Sequence, residues 1–189
     1  VPRNIQMILF IPGIISVLYG IPFRFNKKVF RLRDIGISKI FMISFVWGFI
    51  GSFLPASVSG LDVLSEQIYI LFIANFLFTF AITIPFDIKD LQIDAQHHVK
   101  TIPAIIGKER SYLLAFMALI VSGIFHIYLQ QNVMQDVNYS IPITLSLLIS
   151  AGCIYFTKVK TNNLMFFGIL DGMLILQAVF IVFWNLISR

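Results

Sequence analysis

Residues 66–94 read EQIYILFIANFLFTFAITIPFDIKDLQID, an apolar run that ends abruptly in carboxylates. Its first part, 66–86, has the roughly 20 residues a helix needs to cross the hydrocarbon core of a bilayer. Asp87, Asp90 and Asp94 then follow at i, i+3 and i+7. On a helix those offsets bring three carboxylates to within about 40° of one line. Left alone they repel, so the cluster needs solvent, cations or a bound metal. Oxygen-only ligation suits a hard ion such as Mg²⁺, which keeps some of its waters and bridges one or two carboxylates to a substrate phosphate. A diphosphate is a natural guest. Lys89, Lys100, Lys108 and Arg110 stand in or near the same run, FDIKDLQIDAQHHVKTIPAIIGKER over 86–110, and could take phosphate oxygens that a metal leaves free. A solvated, mixed-charge loop between two helices is the alternative reading.

Outward from this stretch the chain stays apolar. Of 189 residues 58% are hydrophobic and 12% charged, and the mean hydropathy is +0.90. Those are the proportions of an integral membrane protein. Six stretches approach the length of a helical crossing: 4–22, 37–55, 66–86, 111–130, 140–157 and 164–187. The fold expected is all-α, a polytopic transmembrane helix bundle forming one domain over 1–189, with no strand alternation or long-period repeat. The chain opens Val1-Pro2-Arg3 without a signal-peptide pattern and reads as part of something longer.

Positive charge gives the orientation. Arg24, Lys27, Lys28, Arg31, Arg33, Lys39, Lys89, Lys100, Lys108, Arg110, Lys158 and Lys160 all fall in or beside the first, third and fifth connections. Only Arg3 and Arg189 fall on the other side. The positive-inside rule therefore makes the acidic loop cytoplasmic. Topology alone accounts for the formal charge of +5, which leaves a nucleic-acid partner without support. The polar ends of these helices meet the headgroup region, so membrane lipid is the medium and a small amphipathic substrate the expected partner. Asp87, directly after Pro85 and Phe86, is expected to face water while its helix stays anchored in lipid.

The pattern D-x-x-D-x-x-x-D-x-x-x-x-x-K-T-[IL]-P-x-x-x-G, here Asp87, Asp90, Asp94, Lys100, Thr101, Ile102, Pro103 and Gly107, resembles the second aspartate-rich motif of the UbiA-type membrane prenyltransferases. That resemblance implies nine transmembrane helices around a central cavity, with two aspartate motifs binding Mg²⁺ and a prenyl diphosphate. The family's second motif follows its sixth helix, and here it follows the third. The chain therefore looks like helices four to nine, and the first motif would stand before Val1. His98 occupies a position that often holds Gly. The family's Tyr-x-x-x-Lys element has a loose counterpart in Tyr19, Arg24, Lys27 and Lys28.

The resemblance implies a transfer of a prenyl group from a polyprenyl diphosphate to an electron-rich acceptor, aromatic rings among the candidates. Asp87, Asp90 and Asp94 would hold Mg²⁺, while Lys100, Arg24 and Tyr19 would contact the diphosphate. Phe and Tyr rings can attract the allylic cation through their π faces, although most of the 20 Phe residues are ordinary packing or lipid-facing side chains. A non-catalytic UbiA-like scaffold or binding protein is the alternative from another class. An ion transporter, resting on Asp171 alone, is a third.

Asp171 lies mid-membrane in GILDGMLILQ. A carboxylate there costs roughly 2.5–3.5 kcal/mol on insertion scales and normally faces the bundle interior, in a structural or a cavity-lining role. The Ala-Arg pair of the CDP-alcohol phosphotransferase signature is missing around it, which rejects that family. Adjacent His97 and His98 point about 100° apart on a helix and lack the i, i+4 spacing for zinc. His126 is expected to bond a neighbouring helix. Cys153 reads as a small buried hydrophobe.

Overall fold

A charge-poor run of about twenty residues satisfies its backbone in lipid by becoming a helix. A computed structural model of the chain follows that rule and describes residues 3–25, 28–30, 36–96, 99–132, 139–159, 166 and 172–187. Its helices are α1 (Arg3–Gly20), α2 (Gly36–Val58), α3 (Glu66–Lys89), α4 (Leu91–Gln96), α5 (Ile102–Ile106), α6 (Lys108–Asn132), α7 (Ser140–Val159) and α8 (Gly172–Ile187). Four of them, α2, α3, α6 and α7, are long and apolar enough to cross a membrane. Ile5–Gly20 within α1, and α8, are shorter apolar stretches. The last expected span, 164–187, falls partly outside the described residues.

One connection departs from the all-α expectation. In the basic segment after α1, β1 (Phe23–Phe25) and β2 (Lys28–Phe30) pair as an antiparallel hairpin with Phe23 opposite Phe30 and Phe25 opposite Lys28. Aromatic and β-branched residues at Phe23, Phe25, Val29 and Phe30 favour a strand over a coil. A three-residue strand is too short to betray itself by alternation.

α3 is the hub. It packs on α2 and on α6 along most of its length and also touches α5 and α7; α1 lies on α2, α7 on α6 and α8 on α7. Helices in lipid gain little from the hydrophobic effect and rely on close approach and interhelical hydrogen bonds. Both are present. The missing side chain of Gly48 lets the backbone of Phe76 come so near that a Cβ would stand 2.9 Å from its nitrogen. The Ser122 hydroxyl on α6 donates to the Ala74 carbonyl on α3 (2.8 Å), and the Asn75 amide donates to Ser52 Oγ on α2 (2.9 Å). Ile40, Phe78, Ile84, Ala115, Leu119 and Ile154 fill the space between. Large apolar side chains such as Ile120, Ile124, Leu148 and Phe156 face outward instead, the inverse of a water-soluble surface.

Between α2 and α3 the contact is aromatic. Phe41, Phe45, Phe49 and Phe53 recur at i+4 on α2. Against them stand Phe80, Phe76, Phe72 and Tyr69 of α3, with centroids 5.4 Å apart for Phe41–Phe80, 5.5 Å for Phe45–Phe72 and 5.7 Å for Phe53–Tyr69. The order of these pairs makes α2 and α3 antiparallel. The Glu109–Lys158 ion pair does the same for α6 and α7. Lys39, Asp87, Glu109 and Lys158 consequently gather at one end of the bundle, as the alternation of basic connections requires.

Candidate functional site

α3 runs one turn past the expected boundary at residue 86, and Asp87 becomes part of its last turn. Antiparallel packing sets the first turn of α2 beside it, and the Lys39 ammonium lies 3.0 Å from Asp87 Oδ1 and 4.0 Å from Asp90 Oδ2. Asp87 is 1% exposed, Lys39 23% and Asp90 39%. Asp87 thus does not face water as the sequence led one to expect. The helical extension and the lid of α2 bury it.

A buried carboxylate offers about four acceptor positions. Among the described residues the Lys39 ammonium at Oδ1 is the polar partner of Asp87, and Oδ2 has no hydrogen-bond partner. Leaving such a group underserved costs several kcal/mol by the usual measure. Spare acceptor capacity of this kind suits a cation or its coordinated water.

The three aspartates do not share one uninterrupted helix. Asp90 caps α3 with φ −83° and ψ 2°, its N–H donating to the Phe86 carbonyl (2.9 Å). α4 starts afresh after it, tied back by the Asp94 N–H to the Asp90 carbonyl (2.8 Å). What assembles the trio is a common partner. Asp94 and Tyr19 both lie within electrostatic range of the Lys39 ammonium that Asp87 and Asp90 contact. Among the described residues no three His, Cys, Asp or Glu side chains converge closely enough to hold a metal ion by themselves. Asp87 and Asp90 supply the two hard oxygen donors that Mg²⁺ uses when a phosphate completes its shell, so the donor set fits that ion.

The loop after α4 is held against the site by backbone contacts. The Val99 N–H donates to the Asp94 carbonyl (2.9 Å). Gly36, first residue of α2, lies so close to the Lys100 carbonyl that a Cβ there would collide with it. Lys100 itself is exposed, and the neighbouring Thr101 is buried, its hydroxyl without a hydrogen-bond partner among the described residues. Arg24 falls on β1, its side chain outside the described set. Lys27, His97, His98 and Asp171 lie outside the described residues. Lys89 lies over the Phe166 ring, 5.1 Å from its centroid, while Lys108 and Arg110 are exposed at the start of α6.

Two spaces open along α2 and α3. A cavity of about 200 Å³ is lined by Lys39, Ile40, Ile43, Thr83, Phe86, Asp87 and Asp90. A larger cleft of about 430 Å³ lies between α1, α2 and α3, lined by Ile15, Leu18, Ser38, Phe41, Met42, Phe45 and Phe76. The two linings share no residue, but α2 and α3 contribute to both, with Ser38 of the cleft and Lys39 of the cavity consecutive on α2.

Lys39 is the functional candidate that sequence reading missed. In the sequence it serves the topology rule alone, and its position in the first turn of an apolar span is the available signal. His126, expected to bond a neighbouring helix, instead donates from Nδ1 to the Ser122 carbonyl of its own helix (2.9 Å). The crossing bond is made by the Ser122 hydroxyl.

Comparison with known proteins gives two matches. The family described as the UbiA prenyltransferase family matches residues 4–167. A digeranylgeranylglyceryl phosphate synthase of Methanothrix thermoacetophila is 36% identical over 94 residues, which are 49% of this chain and 33% of that protein. The match therefore spans about a third of that relative's length. No solved structure matches.

Proposed function

The chain belongs to the UbiA prenyltransferase family, and from that premise we propose that it takes part in moving a prenyl group from a polyprenyl diphosphate to an electron-rich small acceptor. The observation that carries this reading is Asp87, a carboxylate buried with spare acceptor capacity beside a lysine, on the same pair of helices that line an apolar cleft. An amphipathic substrate needs those two environments side by side, because its head must not be buried unpaired and its tail gains nothing in water.

Asp87 and Asp90, with Asp94 from α4, would hold Mg²⁺, which when bound neutralises diphosphate charge and eases departure of the leaving group. Lys39, Lys100 and Arg24 would meet the remaining diphosphate oxygens, and Tyr19 would add a hydroxyl. The prenyl tail would lie in the cleft along Phe41, Phe45 and Phe76. The allylic C–O bond breaks with its electron pair leaving on the diphosphate. An electron pair of the acceptor forms the new bond, and the acceptor gives up a proton. Aromatic faces beside the tail attract the developing cation. Burial of the Asp87 end limits water that would otherwise trap it. By the distribution of Lys and Arg, this end of the bundle is the cytoplasmic one.

Diphosphate release from a polyprenyl diphosphate by the full-length protein in detergent tests the assignment. Asp87→Ala and Asp94→Ala should each lower turnover by about 100-fold or more, as removal of a key charge-stabilising group does. Undiminished turnover in both variants would remove the site. A second reading, a non-catalytic scaffold of the same family, is favoured by the fact that Lys39 already contacts Asp87 and Asp90. It requires that the unaltered protein release no diphosphate with any acceptor. The transporter reading rests on Asp171, which lies outside the described residues.

A further inference from the structure

We infer that Lys39 is an internal counter-cation, holding the place of the metal at Asp87 and Asp90 until a divalent ion displaces it, and then turning its ammonium to the diphosphate. The inference rests on the proposed function and concerns the order of events at that site. Its starting point is that Asp87, 1% exposed, cannot stay ionised in an apolar setting without a positive neighbour. Before any divalent ion arrives, the fold must supply that positive neighbour. It supplies Lys39 from another helix, its ammonium 3.0 Å from one oxygen of Asp87 and 4.0 Å from one of Asp90.

The choice of lysine matters. An arginine fork would grip a carboxylate through two parallel hydrogen bonds, whereas an ammonium is a point charge on a flexible stem with three rotatable donors. Such a group is easily dislodged. Lys39 keeps 23% of its side chain exposed, and it lines the same cavity of about 200 Å³ as Asp87 and Asp90. It therefore has room to withdraw without leaving the site. Once a doubly charged ion occupies the carboxylates, repulsion between like charges drives the ammonium off. The diphosphate is then the nearest uncompensated negative charge. Metal binding thereby frees a donor for the anion, and diphosphate arriving without metal finds that donor engaged.

Two affinities should consequently move in opposite directions when Lys39 is removed, which a merely structural lysine would not produce. The test uses the full-length protein in detergent with Mn²⁺ alone, followed by the resonance of the free ion, and then with inorganic pyrophosphate in the presence of Mn²⁺. Lys39→Gln should bind Mn²⁺ roughly tenfold more tightly, within the usual range for coupling between two ligands. The same variant should bind pyrophosphate more weakly by a similar factor. Lys39→Arg should bind Mn²⁺ no more tightly than the unaltered protein.

Equal or weaker Mn²⁺ binding in Lys39→Gln, with binding still lost in Asp87→Asn, overturns the counter-cation and leaves the metal site standing. Mn²⁺ binding that Asp87→Asn does not alter overturns the site itself. Should Lys39→Gln fail to fold, amine labelling of the unaltered protein decides the matter. Saturating Mg²⁺ should quicken modification of Lys39 severalfold by releasing its ammonium, and an unchanged rate would overturn the proposal.

Discussion

Lys39 and Asp87, carried by two different helices, meet at 3.0 Å at the end of the bundle where the basic connections gather. Each is the answer to the other's burial, so the pair is a unit whose halves cannot be judged separately. Lys39→Met alone and Asp87→Asn alone should each destabilise the protein, by about 3 kcal/mol in the case of the lysine, because each strands a buried partner. The double variant should recover a large part of that loss. A double-mutant cycle of unfolding in detergent micelles measures the coupling, and simple additivity of the two losses would show the contact to be incidental.

Gly36 is required by proximity. A methyl group there meets the Lys100 carbonyl, which belongs to backbone and has little freedom to yield. Gly36→Ala should lower stability by roughly 2 kcal/mol, as overpacking does. It should also weaken pyrophosphate binding, since Lys100 moves with its carbonyl. Calorimetric melting and a binding titration on the same preparation would show both effects together.

Ser122 predicts a smaller, purely structural effect. Its hydroxyl bridges α6 to the Ala74 carbonyl of α3. Ser122→Ala should cost about 1 kcal/mol of unfolding free energy, in line with interhelical hydrogen bonds in membrane proteins. Turnover at a temperature where the variant is folded should not change.

Met42 tests the seat of the tail. It lines the apolar cleft of about 430 Å³, and Met42→Trp would project a bulkier, stiffer ring into it. The KM for a long polyprenyl diphosphate should rise about tenfold while that for a short allylic one stays put, because pocket fit discriminates by about that factor. Equal changes for both chain lengths would place the tail elsewhere.

The residues told most where charge was scarce. Asp87, Asp90 and Asp94 stand out in an apolar chain, and so a candidate site could be proposed from the sequence alone. The apolar runs beginning at 37, 66, 111 and 140 return as α2, α3, α6 and α7, since a backbone in lipid has few alternatives to a helix. The burial of Asp87 was not legible. It depends on α2 folding back over the end of α3, a long-range contact with no local signature. Lys39 was hidden for a related reason, because a lysine at the mouth of a span satisfies the topology rule whether or not it has a partner. The aromatic spacing on α2 was visible in the sequence. Its match with Phe72, Phe76 and Phe80 on α3 was not, because a ring that packs against another helix and a ring that faces lipid look alike.

The rings between α2 and α3 work as a zip fastener, and the charged pair sits on its last tooth. Phe53 lies about 20 Å along the helix axis from Lys39, yet with its fellows it dictates which way that lysine points. One residue inserted between Lys39 and Phe41 would keep every ring in its place and swing the ammonium about 100° away from Asp87. Alignment at the polar rim is thus inherited from a greasy seam that never touches it, and the two can only drift together.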